Sequence, residues 1–583
     1  MAQVTVIGSG RPSAGVAATV RRVRDALAET SRAIAAETTI VVDPAAWYAA
    51  QPSRPSNTTL ARALAISIAP YGTARMQDDA QVARLFAATA HPDARAADHL
   101  ARLGCRAHHL PFGVRPARAA HDGALDVTSF GPPTPRRLRA LAAGSVELDD
   151  LRSAFVFGDE AFAELANGRV VVDVADDDDA SPDIAVLLEA VEAGAAVVTE
   201  RLGRWPGDVA ETIVTAPQET LFAHARELAR DPQRAEALAS AAHAALLRAG
   251  SLRAMGDALA ALIADVAAEE LEPDDHQPDL SPFAAEPAPL TIRERLTHEQ
   301  GRHDAAVREG VRKTLRAVNE LERRVARIES GVPDTTEVLH DARPGADPRV
   351  SVLVPAFSAT RVLPAALDSA YAAAACEGAP SLGIVVVDDG SPHGDAAVAV
   401  EWAQRHPDLP VTVVRHRHNR GLPAARNTAL EHTDSELVLP LDADNQLLAS
   451  GLRRLIDALD DDPGAAFAYG LLREFDESGP LGLRGLYPWE PARLRFGNYI
   501  DALALIRREA LTAVDGYALD MPEQGYEDWD LWCRFADRGL RGVWIPQVVA
   551  NYRIRADSMS AALHLSHVGP LGDMLARHPA LLG

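Results

Sequence analysis

Three uninterrupted apolar runs in the second half of the chain each stop at polar residues, and no other feature limits the fold as much. Val350-Ser-Val-Leu-Val354 runs into Pro355-Ala-Phe357, Leu382-Gly-Ile-Val-Val-Val387 stops at Asp388-Asp389, and Leu437-Val-Leu-Pro-Leu441 stops at Asp442-Ala-Asp444. A strand solvated on one face alternates apolar and polar residues, whereas runs without alternation suit parallel strands covered on both faces. In such sheets ligands bind beyond the carboxyl ends of the strands, where the strand order reverses. The three runs therefore deliver Pro355, Phe357, Asp388, Asp389, Asp442 and Asp444 to one sheet edge. On an extended chain Asp442 and Asp444 point the same way. Paired carboxylates suit a hard divalent cation, although an Asp/Asn-rich turn carries the same residues.

Two further stretches carry chemistry. His418-Asn-Arg-Gly421 opens a turn that continues into a helix bearing Arg426, a cation suited to a phosphate-bearing ligand. In Gly525-Tyr-Glu527-Asp528-Trp529-Asp-Leu-Trp532 the first carboxylates fall at a helix start, where capping and the helix dipole favour them. Flat indoles beside acids also suit a sugar, which stacks on the ring while carboxylates bind its hydroxyls. Trp532 reads equally well as core.

At 583 residues the chain exceeds what a single core serves. It divides into an α/β domain over 1–270, an acidic linker and heptad helix over 271–345, and a second α/β domain over 346–583. A formal charge of -24 argues against nucleic acid or an anionic membrane as partner. A metal and a few local cations still let an acidic protein hold a phosphate-bearing ligand. Cys105, Cys376 and Cys533 lie far apart without CxxC spacing, which argues against a disulfide framework or zinc site and fits a reducing cytosol. The N-terminus reads as a first strand, not a signal peptide, and no apolar run approaches the length of a membrane span. The expected location is cytoplasmic, with peripheral attachment to a membrane left open.

In the N-terminal domain Val4–Ile7 meets Gly8-Ser-Gly10, but Ser13 leaves GxGxxG incomplete, so a tight strand-to-helix turn is expected and a dinucleotide fingerprint is not. Asp176–Asp179 reads as a solvated loop, and Ile184–Thr199 as helix, a stop at Gly194, then strand. Val307, Val311, Thr314, Val318, Leu321, Val325 and Ile328 step by fours and threes. This is a short heptad seam over 307–328, which serves either a homodimer or a single helix packed on a domain.

Val387-Asp-Asp-Gly-Ser391, Asn419 with Ala425-Arg-Asn427, Leu441-Asp-Ala-Asp-Asn445 and Glu527-Asp-Trp-Asp-Leu-Trp532 resemble, in order and spacing, the successive motifs of family 2 glycosyltransferases with the GT-A fold. Val354-Pro-Ala-Phe-Ser358 stands where that family usually has V-P-x-Y-N, with Phe357 for Tyr and Ser358 for Asn. The order around Ile184–Thr199 resembles, more loosely, the C-terminal half of GT-B glycosyltransferases. Glu189 takes the place of a ribose-contacting glutamate there, and Ser181 stands where a partner glutamate would fall.

These resemblances imply an α/β protein with a GT-A Rossmann-like domain at its C-terminus, a GT-B-like Rossmann domain at its N-terminus and a long helical linker. They imply a nucleoside-diphosphate sugar donor, often UDP-linked, a glycan or glycoconjugate acceptor, and Mg2+ or Mn2+. Pro355 and Phe357 would line the base pocket, and Asp389 would accept from the base. Arg426, Asp442 and Arg555 would meet the diphosphate, and Asp444 with Asp442 would hold the metal. Asp528, beside Glu527, would take the acceptor proton in a single inverting displacement, and Trp529 and Trp532 would face the sugars. Arg555 stands where many relatives carry a histidine, which leaves a third metal ligand open; His564 and His567 lie nearby in sequence. Acceptor choice falls to the segment 468–498, with Tyr487-Pro-Trp489. Two alternatives stand beside this reading: both halves transfer sugars in glycan or cell-surface polysaccharide synthesis, or the N-terminal domain is a non-catalytic scaffold.

Overall fold

The three apolar runs form strands whose neighbouring residues feed two different cores. In a computed structural model, Val350, Val352 and Val354 pack on one side of the sheet with Leu363, Ala399 and Leu455, while Leu353, Val385, Val387 and Val438 pack on the other with Ala425, Leu511 and Trp532. Both faces are buried, as the lack of alternation in these runs implies. The structure describes residues 4–268 apart from 9–13, 31, 35–36, 50, 52–54, 68–73, 93, 112, 116–126, 132, 155–167, 176–183 and 201–206, and then 336–342, 348–375, 381–521, 525–554 and 568–582. The heptad segment, Ser181, Asp176–Asp179, Cys376, Arg555, His564 and His567 lie outside the described residues. Among these described residues no helix is long and apolar enough to cross a membrane.

The chain forms two compact units, Met1–Pro287 and Ala288–Gly583. The first holds two parallel sheets. One takes β1 (Val4–Gly8), β2 (Thr38–Val42), β3 (Leu64–Ile66), β4 (Ala88–His91) and β5 (Ala107–His109) in simple sequence order. The other comprises β6 (Val127–Phe130), β7 (Arg152–Ala154), β8 (Val170–Asp173), β9 (Ala196–Thr199) and β10 (Val214–Thr215), in the order β10-β9-β8-β6-β7. The last helix of the unit, Leu252–Ala268, returns to the first sheet and packs Leu259 and Ile263 with Ile40 and Leu64. It approaches the Ala14–Glu29 helix so closely that a Cβ on Gly256 would lie 2.0 Å from the Ala26 carbonyl oxygen.

In this unit Glu189 is engaged by an arginine of the first helix. Its carboxylate accepts from Arg22 Nη2 at 3.0 Å, and Glu192 beside it accepts from Arg22 Nη1 at 2.6 Å and from Arg115 Nη1 at 2.6 Å. The network ties the first helix to the Ile184–Glu192 helix through charges that are mostly buried.

The second unit is built on one sheet. Its strands are β11 (Thr336–Ala342), β12 (Val350–Ala356), β13 (Leu382–Asp388), β14 (Val411–His416), β15 (Leu437–Pro440), β17 (Phe467–Asp476), β19 (Leu505–Arg507) and β20 (Gly542–Arg553). They lie in the order β20-β17-β19-β15-β12-β13-β14-β11, with β16 (Gln446–Leu447) on β20 and β18 (Gly479–Arg484) on β17. The strands β12, β13, β14 and β15 are mutually parallel, and β19 and β11 run against their neighbours. From β12 the chain steps outward to β13 and β14, then returns to place β15 on the other side of β12. The order therefore reverses between β12 and β15, and their carboxyl ends open a crevice there.

Candidate active site

That crevice is a cleft of about 970 Å³, lined by Pro355 and Phe357 from the end of β12, Asp389 after β13, Asp442 and Asp444 after β15, and Asp528 at the start of the Glu527–Asp537 helix. Residues far apart in sequence thus meet at one sheet edge. Phe357 is half exposed to the cleft. Ser358 beside it has φ +53°, a left-handed conformation in which Asn is favoured over Ser.

Asp389 is fixed from three directions. Its Oδ1 accepts from His416 Nδ1 at 2.6 Å and Arg420 N at 2.8 Å, and its Oδ2 from Gly421 N at 2.8 Å. The loop can fold this tightly because Gly390, at φ +70°, passes so near Asn419 that a Cβ would lie 2.6 Å from its backbone nitrogen. Asp388 turns the other way: it is fully buried and accepts from Ser391 N and Ala396 N, tying off the start of the Asp395–Arg405 helix.

The strand β15 ends at Pro440, so Asp442-Ala-Asp444 lies in a turn, closed by Asn445 N donating to the Asp442 carbonyl at 2.9 Å. The sequence expectation of an extended chain is corrected here, but its consequence survives. Asp442 and Asp444 both line the cleft, with the buried Ala443 between them on the same lining.

Arg426 departs from its expected role. The guanidinium is almost wholly buried, donating from Nη2 to Asp442 Oδ1 at 2.8 Å and from Nη1 to Glu527 Oε1 at 3.0 Å. Burial alone would pull its pKa down, but the flanking Asp442 and Glu527 charges hold it above the ordinary arginine value. With both ends of its fork on carboxylates, Arg426 organises the site from beneath rather than presenting a free cation to phosphate. Glu527 is likewise occupied: its other oxygen accepts from Gly525 N at 2.7 Å, and it is buried. It positions its neighbours and leaves Asp528 as the carboxylate available to a substrate.

Asp528 Oδ1 accepts from Trp529 N and Oδ2 from Asn498 Nδ2, both at 2.8 Å. Burial, then the negative charges of Glu527 and Asp501, push its pKa up to about 8 against the pull of Arg426. Burial also raises Asp501.

The two tryptophans are corrected outright. Trp529 and Trp532 are fully buried in the core, because the face of their helix that carries them packs inward, and neither has a ring face left for a sugar. Trp532 serves the site indirectly: its Nε1 donates to the Ile500 carbonyl at 3.0 Å and so anchors the loop bearing Asn498 and Asp501. Within the segment expected to meet an acceptor, Tyr487 and Asn498 line the cleft, whereas Trp489 packs edge-on against Phe467.

Sequence reasoning missed His416, Arg484 and Asp501. Arg484 joins Glu474 at 2.9 Å to Asp501 at 3.4 Å and lies flat over the Tyr552 ring, 3.6 Å from its centre. Nothing in their local sequence marks these residues: His416 ends β14 and reaches Asp389 and Thr428, while β17, β18 and the loop before β19 bring Glu474, Arg484 and Asp501 together.

No group of three or more acidic, histidine or cysteine side chains among the described residues forms a complete metal cage. Asp442 and Asp444 nevertheless offer hard oxygen donors on one wall of the cleft, a donor set that fits Mg2+ or Mn2+ when a ligand supplies further oxygens.

Residues 351–516 match the family described as Glycosyl transferase family 2. The C-terminal unit carries a family 2 glycosyltransferase domain. Its curated relatives include a polyprenol monophosphomannose synthase of Mycolicibacterium smegmatis (strain ATCC 700084 / mc(2)155), 28% identical over 232 residues that make up 37% of this chain and 82% of that protein. The amylovoran biosynthesis glycosyltransferase AmsE of Erwinia amylovora is 25% identical over 186 residues, 30% of this chain and 66% of that one. Among solved structures, the mannosyltransferase PcManGT from Pyrobaculum calidifontis in complex with GDP-Man and Mn2+ aligns with 46% of this chain and 70% of its own, at 24% identity and a TM-score of 0.30. The family 2 domain has an α/β fold with a Rossmann-like parallel sheet.

Proposed function

We propose that the cleft transfers a sugar from a nucleoside-diphosphate donor, UDP-linked by preference, to an acceptor hydroxyl with inversion. One observation carries this reading: Asp528, held by Asn498, shares a single cleft with Asp389, Asp442 and Asp444. Phe357 stacks on the base and Asp389, held by His416 and two backbone N–H groups, accepts from it. Asp444, with the Asp442 oxygen that Arg426 leaves available, would hold Mg2+ or Mn2+. When bound, that ion supplies charge neutralisation to the departing diphosphate.

Asp528 takes the proton from the acceptor hydroxyl as its oxygen bonds to the anomeric carbon. The bond from that carbon to the diphosphate oxygen breaks, and its electron pair leaves with the nucleotide. One displacement inverts the carbon, and no protein nucleophile takes part. The high Asp528 pKa makes it a stronger base than an ordinary carboxylate while leaving a fraction ionised near neutral pH. We assign no transfer to the N-terminal unit, because Arg22 and Arg115 occupy the Glu189 and Glu192 carboxylates.

The test is nucleotide release by the full chain from a panel of nucleotide sugars, with Mn2+, with Mg2+ and with EDTA. Metal-dependent turnover of one donor is expected. Turnover unaffected by EDTA would remove the metal from the account.

A further inference from the structure

The cleft has two unlike walls. Asp389 and Phe357 belong to the β12 and β13 side, and Asp442 and Asp444 follow β15 in the middle. On the β19 side stand Arg484, Tyr487, Asn498 and Asp501, with Asp528 above them at the head of its helix. If the nucleotide takes the first wall, as proposed above, the acceptor meets the second.

The charge on that second wall is lopsided. Across the whole lining, six carboxylates face three arginines among the described residues. Arg426 is consumed by Asp442 and Glu527, and Arg553 lies over the Phe475 ring with its Nε directed to the Asp444 carbonyl. The remaining arginine, Arg484, is clamped between Glu474 and Asp501 with its flat face on Tyr552. Arg493, behind the Tyr487 ring, is paired with Glu490. A phosphate entering here would have to break the Arg484–Asp501 contact and lie near the Asp501 and Asp528 carboxylates, and the described residues of this wall offer no second lining arginine. An uncharged sugar meets no such cost, because a hydroxyl donates to a carboxylate and its ring rests on tyrosine.

We propose that this wall selects an uncharged, hydroxyl-bearing sugar as acceptor over a phosphorylated one, with Asp501 receiving one of its hydroxyls. Asp501 is suited to this. Among the described residues its Oδ1 accepts from Leu503 N at 3.1 Å and its Oδ2 makes the long Arg484 contact, so acceptor capacity remains on both oxygens. Burial raises its pKa, against the pull of Arg484. The inference rests on the proposed transfer reaction and concerns only which acceptor that reaction takes.

The experiment compares the full wild-type chain with Asp501→Asn, using Mn2+ and the best donor from the panel. The acceptors are matched pairs of a neutral glycoside and its 6-phosphate, and the readout is nucleotide release above donor hydrolysis. In the wild type the neutral acceptor should lead by about tenfold or more in kcat/KM. Asp501→Asn should raise the neutral acceptor KM by about tenfold with a much smaller change in kcat, and should narrow the gap to the phosphorylated partner. A merely structural defect would depress both acceptors alike and leave their ratio unmoved. Equal or better use of the phosphorylated acceptor by the wild type, with transfer intact, overturns the acceptor assignment alone. Failure to turn over any nucleotide sugar, with neither UDP nor GDP binding by calorimetry, overturns the proposed function and this inference together.

Discussion

Replacing Arg426 with methionine should strand two carboxylates unequally, and the inequality can be worked out. Arg426 is 2% exposed at its side chain, Glu527 4% and Asp442 33%. Removing one partner of a buried ion pair costs about 3–5 kcal/mol, because the other charge stays buried without compensation. Asp442 can draw in water once released, so most of that loss should come from Glu527, which among the described residues keeps the Gly525 N–H. Adding Glu527→Gln to Arg426→Met should therefore restore more than half of the lost stability, and adding Asp442→Asn should restore much less. Lower pH should also relieve the single variant, since a stranded carboxylate escapes its penalty by taking up a proton. Denaturant unfolding of all four proteins, followed by tryptophan fluorescence, measures this, as five of the seven tryptophans lie in the C-terminal unit. A loss below about 1 kcal/mol, or equal rescue by the two second substitutions, would show that the buried pair is not what holds these elements together.

Three further expectations follow from single residues. Because the folded Asp528 pKa lies above the unfolded value, its proton-linked stabilisation is complete below about pH 4 and disappears as pH rises through about 8; thermal unfolding of Asp528→Asn should therefore match the wild type in acid and exceed it in base, and a constant difference across pH would contradict the raised pKa. Ser358→Asn, which suits φ +53°, should add roughly half a kcal/mol by denaturant titration, whereas Ser358→Val should lose about 1–3 kcal/mol. Although burial raises the Asp530 carboxyl, bonds from His578, Arg534 and Arg577 hold it well below the usual range, so Asp530→Ala should cost about 3–5 kcal/mol and speed proteolysis of the Val568–Leu582 segment; an unchanged cleavage rate would show that this cluster does not moor the C-terminus.

What the sequence disclosed and what it hid divide along a physical line. Asp389, Asp442, Asp444 and Asp528 were legible because each follows directly from an apolar strand or opens a helix, so local sequence already states which edge it reaches. Arg426 was legible as a cation but not as a spent one, since its partners Asp442 and Glu527 come from other elements. Trp529 and Trp532 misled for a related reason. Beside acids they read as sugar platforms, yet helix packing decides which face turns inward, and that face carries both indoles. Asn498 had no local mark because its meaning lies in a contact with a helix thirty residues later, and Asp501 had none because its partner Arg484 comes from another element. The sequential strand order of the first N-terminal sheet was equally hidden, since apolar runs announce strands but not the direction in which successive ones are laid down.

The central claim is that Asp528 is the base of a single-displacement sugar transfer in this cleft. The most direct measurement is the transfer rate of the full-length Asp528→Asn protein at saturating donor, acceptor and Mn2+, with nucleotide affinity checked by calorimetry. A fall of about a hundredfold to ten-thousandfold is expected while the nucleotide still binds within a few-fold of wild type. A variant that transfers sugar at the wild-type rate would contradict it.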